Sequence, residues 1–208
     1  MRGSSCGPTC TRRSSSATAG DEFGQVRDRA ILEITYATGL RLDELIGTNL
    51  SSLDLAGGLL TVKRGDRIRS VPLGPSARNA LASYLLARAE QLMRLPIESI
   101  DAGALFISRA GRRLHRRSVQ RIVEHLLADF AAAPTDLPSD GQGHSSGRLG
   151  AQSLRRACAD HLVSAGAEVA AVRSLLGQQS LPRLSECDDS FEALRRRYDL
   201  AHPRAREP

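Results

Sequence analysis

Apolar residues recur at helical spacing along most of this sequence, with one interruption between residues 53 and 72. In that interval, short apolar segments are separated by Gly57-Gly58 and by the polar turn from Arg64 to Arg67. Short apolar segments bounded by glycine pairs and charged turns are typical of antiparallel strands. The sequence therefore predicts a mainly α fold with a small antiparallel three-stranded sheet, which is an α+β domain.

Helices are predicted before and after this sheet in the sequence, because apolar residues recur there at spacings of three and four. The predicted helices cover residues 26–38, 42–46, 76–94, 153–165, 169–176 and 191–198, and Ser118 is expected to cap a further one. Leu105 to Ile107 could add a short strand. Residues 1–22 are poor in apolar side chains and predict a disordered tail, and residues 132–150 predict a flexible loop. Residues 23–208 then form one domain.

The charge balance favours a polyanionic partner. The formal net charge is +6 and the pI is about 9.8, and a basic balance of this size is common among proteins that bind nucleic acid. Lys63 is the only lysine among 29 Lys and Arg residues, so a proteome that is rich in arginine would also explain the charge. Charge alone leaves both interpretations open.

Neither a membrane segment nor a metal site is expected. No apolar run reaches the ~20 residues that a membrane span requires, and the amino-terminal segment lacks the apolar block of a secretory signal, so we expect a cytoplasmic protein. Cys6, Cys10, Cys158 and Cys187 form no paired CxxC sets, which argues against zinc. They are also too sparse for a disulfide framework. No cofactor is expected.

Two segments carry a pattern that points to a known family. The first is Thr38-Gly39-Leu40-Arg41-Leu42-Asp43-Glu44-Leu45, and the second is Ser153-Leu154-Arg155-Arg156 with Leu175-Leu176-Gly177 downstream. Together they resemble the two conserved boxes of the tyrosine recombinase (phage integrase) family, especially of its Xer type. The resemblance continues through Val71-Pro72-Leu73, Leu105-Phe106-Ile107-Ser108-Arg109 and Arg117-Ser118-Val119-Gln120, and it covers roughly residues 23–202.

The resemblance implies the fold of the family's catalytic domain, without the family's amino-terminal core-binding domain, and it implies a DNA partner. The family stabilises a pentavalent phosphorane at the scissile phosphate. It uses two arginines, because a guanidinium donates paired hydrogen bonds to phosphate oxygens and stays charged. By resemblance, Arg41 and Arg155 are these two residues. The alternative is that each is a surface or capping arginine.

A lysine on the hairpin serves in this family as the general acid for the leaving 5′ oxygen, and Lys63 lies at that hairpin. The family places its lysine directly before the turn glycine, where this chain has Arg64. A slip of one residue along a strand directs the side chain to the opposite face, unless a β-bulge restores it. The predicted role of Lys63 therefore depends on the register of the hairpin.

Three positions depart from the family's pattern. The family usually has a histidine three residues before the second arginine, and a histidine or tryptophan after the Leu-Leu-Gly motif, whereas this chain has Gln152 and Gln178. Both glutamines can hydrogen-bond a phosphate oxygen but cannot transfer a proton. The nucleophilic tyrosine belongs nine residues beyond Gln178, where this chain has Cys187. We therefore expect impaired strand cleavage, as in a pseudoenzyme, and we leave open whether enzymatic activity remains.

A displaced nucleophile is the alternative to impaired cleavage. Cys187 could attack the phosphate if neighbouring arginines activated its thiol, but a thiol is shorter than a phenol by most of a ring. Tyr198 lies eleven residues further on, and we expect it to pack against the core or a partner. A decayed remnant of a mobile element is a third interpretation.

His161 is expected to be a packed histidine on the apolar face of its helix.

The densest basic run lies between residues 109 and 121. It fits contact with the backbone of a DNA duplex, since an aromatic content of 3% is low for stacking on single strands. A solvated arginine face is the alternative. The predicted DNA-binding residues are Arg64, Arg109, Arg112, Arg113, Arg116, Arg117, Arg121 and Arg156. The expected partners are double-stranded DNA and either another recombinase subunit or a second copy of this chain.

Overall fold

The computed structural model describes residues 22–132, 150–177 and 198–199. Its helices are α1 (Glu22–Thr38), α2 (Leu42–Gly47), α3 (Pro75–Met93), α4 (Arg116–Ala132), α5 (Ala151–Ser164) and α6 (Val169–Leu176). Its strands are β1 (Leu53–Asp54), β2 (Leu59–Arg64) and β3 (Arg67–Pro72), and two single turns of 3-10 helix cover Leu50–Ser52 and Ile97–Ser99. The predicted fold class, mainly helical with a small antiparallel three-stranded sheet, is confirmed.

Helix α1 lies at the centre of the core, where it packs against α3, α4 and α5. Its side chains Ile31 and Ile34 are fully buried, and burying a side chain of this size stabilises a fold by roughly 1.5–3 kcal/mol. Tyr84 of α3 is also fully buried. The Tyr84 hydroxyl donates to Leu105 O at 3.1 Å and accepts from Ile107 N at 3.0 Å. Helix α3 therefore fixes the segment that precedes α4.

Helix α1 ends at a glycine whose backbone is left-handed. Gly39 has φ +58°, and a Cβ at this position would collide with the side chain of Leu176 in α6. Glycine is the residue that meets both conditions without strain. The turn from α1 to α2 therefore passes directly against the end of α6, and this packing decides where Arg41 lies.

The sheet has the strand order β1-β2-β3, and both pairs are antiparallel. The β2–β3 register is continuous from Leu59↔Pro72 to Arg64↔Arg67. Because side chains alternate between the faces of a strand, Val62 and Arg64 share the face that Arg69 occupies on β3. Lys63 points to the opposite face. The hairpin contains no bulge that would turn Lys63 back.

The segment from Ala104 to Ile107 is not a strand, contrary to the sequence-based expectation. Its two ends form isolated bridges, Asn49↔Ala104 and Ile107↔Arg113. The apolar side chains of this segment are buried, so this apolar run indicates burial in the core and not pairing in a sheet. A short apolar run cannot distinguish the two.

The predicted cap at Ser118 is also wrong. Helix α4 begins at Arg116, and the Ser118 N–H donates to His115 O at 3.0 Å. Ser118 therefore lies within the first turn. The serine was a plausible cap by residue type, but the hydrogen bonding of the backbone starts the helix two residues earlier.

His161 is exposed on α5 and is not packed on an apolar face. Its Nδ1 lies 2.6 Å from the hydroxyl of Tyr36 on α1, and the two rings meet edge to face with centroids 5.8 Å apart. The pair joins the two helices at the surface.

Three predicted segments lie wholly or mostly outside the described residues. They are the tail over residues 1–22, the loop over residues 132–150 and the helix over residues 191–198.

Candidate DNA-binding site

A pocket of about 400 Å³ lies where the start of α2 meets α4 and the start of α5. Its lining includes three of the predicted catalytic residues, Arg41, Gln152 and Arg155. Arg116 from the predicted basic run lines it as well. These residues come from three separate elements, so the fold, and not sequence proximity, brings them together. We call this site the arginine pocket.

Arg41 precedes the first residue of α2 and has extended backbone, with φ −73° and ψ 152°. Its backbone N–H donates to Glu44 Oε2 at 2.9 Å, and its Nη1 lies 3.4 Å from Glu44 Oε1. The side chain is 29% exposed. The guanidinium is thus anchored by a weak contact on one side and remains accessible to a ligand in the pocket.

Arg155 of α5 is buried, with 7% of the residue exposed. Its Nη2 donates to Leu176 O at 2.6 Å, and its Nη1 donates to Gly39 O. Burial, together with the charge of Arg41, lowers the pKa of Arg155 to about 10. Arg155 therefore stays charged near neutral pH, and it holds the Gly39 turn against the end of α6.

Glu44 is a buried carboxylate that connects the hairpin to α2. Arg69 Nη1 and Nη2 donate to its two oxygens at 2.7 and 2.9 Å. Burial raises the pKa of Glu44, but the hydrogen bonds and charges of Arg69 and Arg41 outweigh it, so the pKa lies below its ordinary value. Sequence reasoning gave Glu44 no role. The available signal was an acid at the third position of a helix, which is typical of a capping box.

Arg69 was likewise missed, and it joins three elements. From β3 it reaches Glu44 on α2, and its Nε donates to Leu175 O of α6 at 3.2 Å. Gly177, which ends α6 with φ +61°, leaves room for it, because a Cβ there would lie 2.7 Å from Arg69 Nη1. Two arginines, Arg69 and Arg155, therefore satisfy carbonyls at the end of α6, where a helix has orphan acceptors.

The other predicted catalytic residues fall in different places. Lys63 is exposed on the hairpin face opposite Arg69, whereas Arg64 shares the Arg69 face. Gln178 and Cys187 lie outside the described residues. Tyr198, the alternative nucleophile, is only 2% exposed. Burial raises its pKa above the ordinary value, and the charges of Cys158, Asp199 and Tyr36 add to the increase.

Two of the eight predicted DNA-binding arginines, Arg113 and Arg116, contact other elements of the fold. Arg113 is half-buried and donates to Ile46 O at 2.8 Å, to Thr48 O at 3.0 Å and to Asp101 at 3.1 Å. Arg116 is exposed and pairs with Asp43. The remaining predicted residues are exposed: Arg64, Arg109, Arg112, Arg117, Arg121 and Arg156.

The described part of the chain contains no group of three or more His, Cys, Asp or Glu side chains that could hold a metal ion. None of the described helices is long and apolar enough to cross a membrane. The arginine pocket presents guanidinium and amide groups, which donate hydrogen bonds to anionic oxygens.

Comparison with known families identifies the chain's relatives. Residues 16–185 match the family model described as the phage integrase family. The chain belongs to the phage integrase family. The matched residues end two positions before Cys187.

Curated relatives agree with this family assignment. The chain is 36% identical over 194 residues to tyrosine recombinase XerC of Thermodesulfovibrio yellowstonii, which covers 92% of this chain and 60% of the relative. It is 39% identical over 188 residues to XerC of Azotobacter vinelandii, which covers 89% of this chain and 56% of that relative. The chain therefore spans about 60% or less of the length of these family members.

Solved structures share the fold of this family member. The XerA recombinase superposes with a TM-score of 0.61 at 22% identity, covering 89% of this chain and 61% of the other. The XerH site-specific recombinase, described as bound to its difH substrate in a pre-cleavage complex, superposes with a TM-score of 0.60 at 22% identity, covering 87% and 44%. At this identity, the similarity establishes the tyrosine recombinase catalytic fold.

Proposed function

We propose that this chain is a DNA-binding tyrosine recombinase homologue whose strand cleavage is impaired. The observation that carries the proposal is the arginine pocket, which places Arg41, Arg155 and Gln152 around one space. Membership of the phage integrase family supports a DNA partner and a role in DNA recombination or integration. The same proposal places the protein in the cytoplasm, together with the DNA.

The pocket suits a phosphodiester because its donors come from different directions. Arg41 approaches from α2 and Gln152 from the first turn of α5, while the buried charge of Arg155 lies behind them. A guanidinium pairs with two phosphate oxygens at once, and its charge does not depend on pH in the neutral range. A backbone phosphate of duplex DNA is therefore the proposed ligand.

Impaired cleavage follows from the chemistry of three side chains. By resemblance, Gln152 occupies the position of a histidine, Gln178 that of a histidine or tryptophan, and Cys187 that of the nucleophilic tyrosine. An amide binds a phosphate but cannot act as a general acid or base, and the loss of such help costs about 10² to 10⁴ in rate. The arrangement retains binding and loses the chemical step.

A working recombinase with a displaced nucleophile is the second candidate, and the burial of Tyr198 argues against one form of it. A phenol that is 2% exposed, with its pKa raised by burial, is not placed to attack a phosphate. Cys187 remains the other form. The XerH site-specific recombinase structures are described as bound to difH and palindromic difH substrates. We propose that this chain acts on DNA with a second subunit, either a partner recombinase or another copy.

A covalent-trapping assay tests the proposal directly. The purified chain is incubated with a nicked suicide duplex, and protein–DNA adducts are resolved on a denaturing gel. Binding of the duplex in solution without an adduct is the expected result, with log affinity falling against log salt by about 0.9 for each phosphate neutralised. An adduct that is lost in Cys187→Ser or in Tyr198→Phe would identify a displaced nucleophile. A chain that folds cooperatively but binds no duplex would favour a decayed remnant.

A further inference from the structure

The lining of the arginine pocket is nearly balanced in charge, although its proposed ligand is an anion. Three cations line it, and so do two carboxylates, Asp43 and Glu124. Contacts with the DNA backbone are made mainly by Arg and Lys, and carboxylates in such a site repel phosphate. The presence of two acids beside the proposed phosphate site therefore calls for a physical explanation.

Asp43 and Arg116 form an exposed ion pair in the lining of the pocket, and one guanidinium nitrogen contacts both carboxylate oxygens. Arg116 Nη1 lies 2.8 Å from Asp43 Oδ1 and 3.0 Å from Oδ2, which links α2 to α4. The side chains of Arg116 and Asp43 are 65% and 69% exposed. Both are thus accessible to a DNA backbone that approaches the pocket.

The same ion pair borders a second depression of about 320 Å³ between α2 and the start of α4. Asp43 and Arg116 line both spaces, whereas Ile46 and His115 line only the second. The two depressions therefore adjoin at this ion pair. A DNA strand that passed from one depression to the other would meet Arg116.

The neighbouring carboxylate on α2 behaves differently. Glu44 is 1% exposed in its side chain and is held by Arg69 and by the backbone of Arg41, so it cannot leave its partners without unsatisfied buried charge. Asp43 has no such constraint, since an exposed ion pair is weak and is screened by salt. Of the two adjacent acids, one is fixed and the other is exchangeable.

We propose that Asp43 competes with DNA for Arg116, so that a backbone phosphate replaces Asp43 on Arg116 when DNA binds. The inference rests on the proposed DNA-binding function. In the free protein, Asp43 neutralises Arg116 and lowers the affinity of the pocket for phosphate. In the complex, Arg116 becomes a second exposed arginine on the DNA backbone beside Arg41, with the buried charge of Arg155 nearby, and Asp43 turns to solvent.

The experiment measures the affinity of a short fluorescent duplex by anisotropy at low salt for the wild type and four variants. Asp43→Asn removes the competing charge and is expected to bind about two- to five-fold more tightly, the range that the strength of an exposed ion pair allows. Glu124→Gln is the matched control, because it removes a carboxylate of the same pocket that accepts a hydrogen bond from Gln120 and, among the described residues, pairs with no arginine. We expect Glu124→Gln to gain less.

Arg116→Gln and the double variant Asp43→Asn/Arg116→Gln complete a double-mutant cycle. Competition for Arg116 predicts that Asp43→Asn gives no gain once Arg116 is absent. A gain of equal size in both backgrounds would mean that Asp43 only repels DNA at a distance, and it would overturn the inference. No gain in Asp43→Asn while the wild type binds would also overturn it, leaving the DNA-binding proposal intact. If neither the wild type nor Asp43→Asn binds any duplex, both proposals fail.

Discussion

Arg41 and Arg155 perform different tasks in this structure, although the sequence assigns them one. Arg41 is accessible in the pocket and touches Glu44 at 3.4 Å. Arg155 is buried and donates to Gly39 O and Leu176 O, two carbonyls that belong to different parts of the chain. The first is available to a ligand. The second stabilises the turn that carries the first, besides lending its charge to the pocket.

Replacing these two arginines by alanine should therefore lower the stability of the protein by different amounts. Arg155→Ala leaves two buried carbonyls without donors, which costs about 1–3 kcal/mol of unfolding free energy. Arg41→Ala loses a weak, partly exposed contact and should cost less than about 1 kcal/mol. Urea denaturation measures both. Equal destabilisation by the two changes would contradict the different roles that their hydrogen bonds indicate.

Glu44 should make the stability of the protein dependent on acid pH. Its pKa in the folded chain lies below the ordinary value of 4.5, so the carboxylate stabilises the fold above about pH 4.5. This contribution is lost as the pH falls from there through the lower folded-state pKa. We expect Glu44→Gln to be less stable than the wild type by about 1–3 kcal/mol near neutral pH, since it weakens charge-assisted hydrogen bonds to Arg69 and Arg41.

The difference between Glu44→Gln and the wild type should shrink as the pH falls below 4.5, because the wild-type carboxyl then becomes neutral as well. Denaturation curves at a series of pH values provide the measurement. The control variant is Glu90→Gln on α3, because it removes a carboxylate from an exposed position. A constant difference across the acid range would rule out ionised Glu44 as its source.

At the scale of elements, the register of the β2–β3 hairpin decides which cation shares the face of Arg69, the residue that contacts Glu44 of α2. Arg64 and Arg69 share one face of the sheet, and Lys63 occupies the other. We therefore expect Arg64→Ala to weaken duplex binding and to lower the slope of log affinity against log salt by about 1. Lys63→Ala should change both quantities less. A larger loss from Lys63→Ala would show that the hairpin presents its other face to DNA.

The elements themselves could be predicted from the sequence because their signals are local. Apolar spacing located α1, α3 and α6 to within a few residues, and the glycine pair and polar turn located the sheet. The predicted end of α1, at residue 38, matches the structure. The predictions at Ser118 and His161 are wrong because a residue type does not specify which backbone group or which distant hydroxyl it meets. Ser118 lies inside a helix that starts earlier, and His161 contacts Tyr36, 125 residues away.

The candidate site could be predicted in its residue types but not in its connections. Motifs indicated Arg41 and Arg155, because the family's phosphate chemistry leaves a local pattern. The contacts Arg69–Glu44 and Arg155–Leu176 O join positions that are 25 and 21 residues apart, and no periodicity records such pairs. The contact between Asp43 and Arg116 was missed for the same reason, since the two residues lie on different helices.

At the scale of the whole molecule, the contacts that stabilise the fold can be distinguished from the residues that would react with DNA. Arg155 and Arg69 hold the end of α6 through backbone carbonyls, and neither contact involves Gln152. The described contacts that hold the end of α6 therefore do not depend on this pocket residue. Gln152→His, which keeps a hydrogen-bond donor in the pocket, should leave the fold intact.

This independence predicts that cleavage can be restored in steps. Cys187→Tyr supplies a phenol at the position of the family's nucleophile, and it should give a low yield of covalent adduct on a nicked duplex. Adding Gln152→His and Gln178→His should raise the initial rate, since general acid–base help contributes about 10² to 10⁴. Adduct formation on a denaturing gel is the measurement, and Cys187→Phe with both histidines is the control that keeps the ring without the hydroxyl. A triple variant that folds and binds DNA as the wild type does, yet forms no adduct, would show that more than these three side chains has been lost. Arg64→Lys in that background would then test whether the missing general acid of the hairpin is the cause.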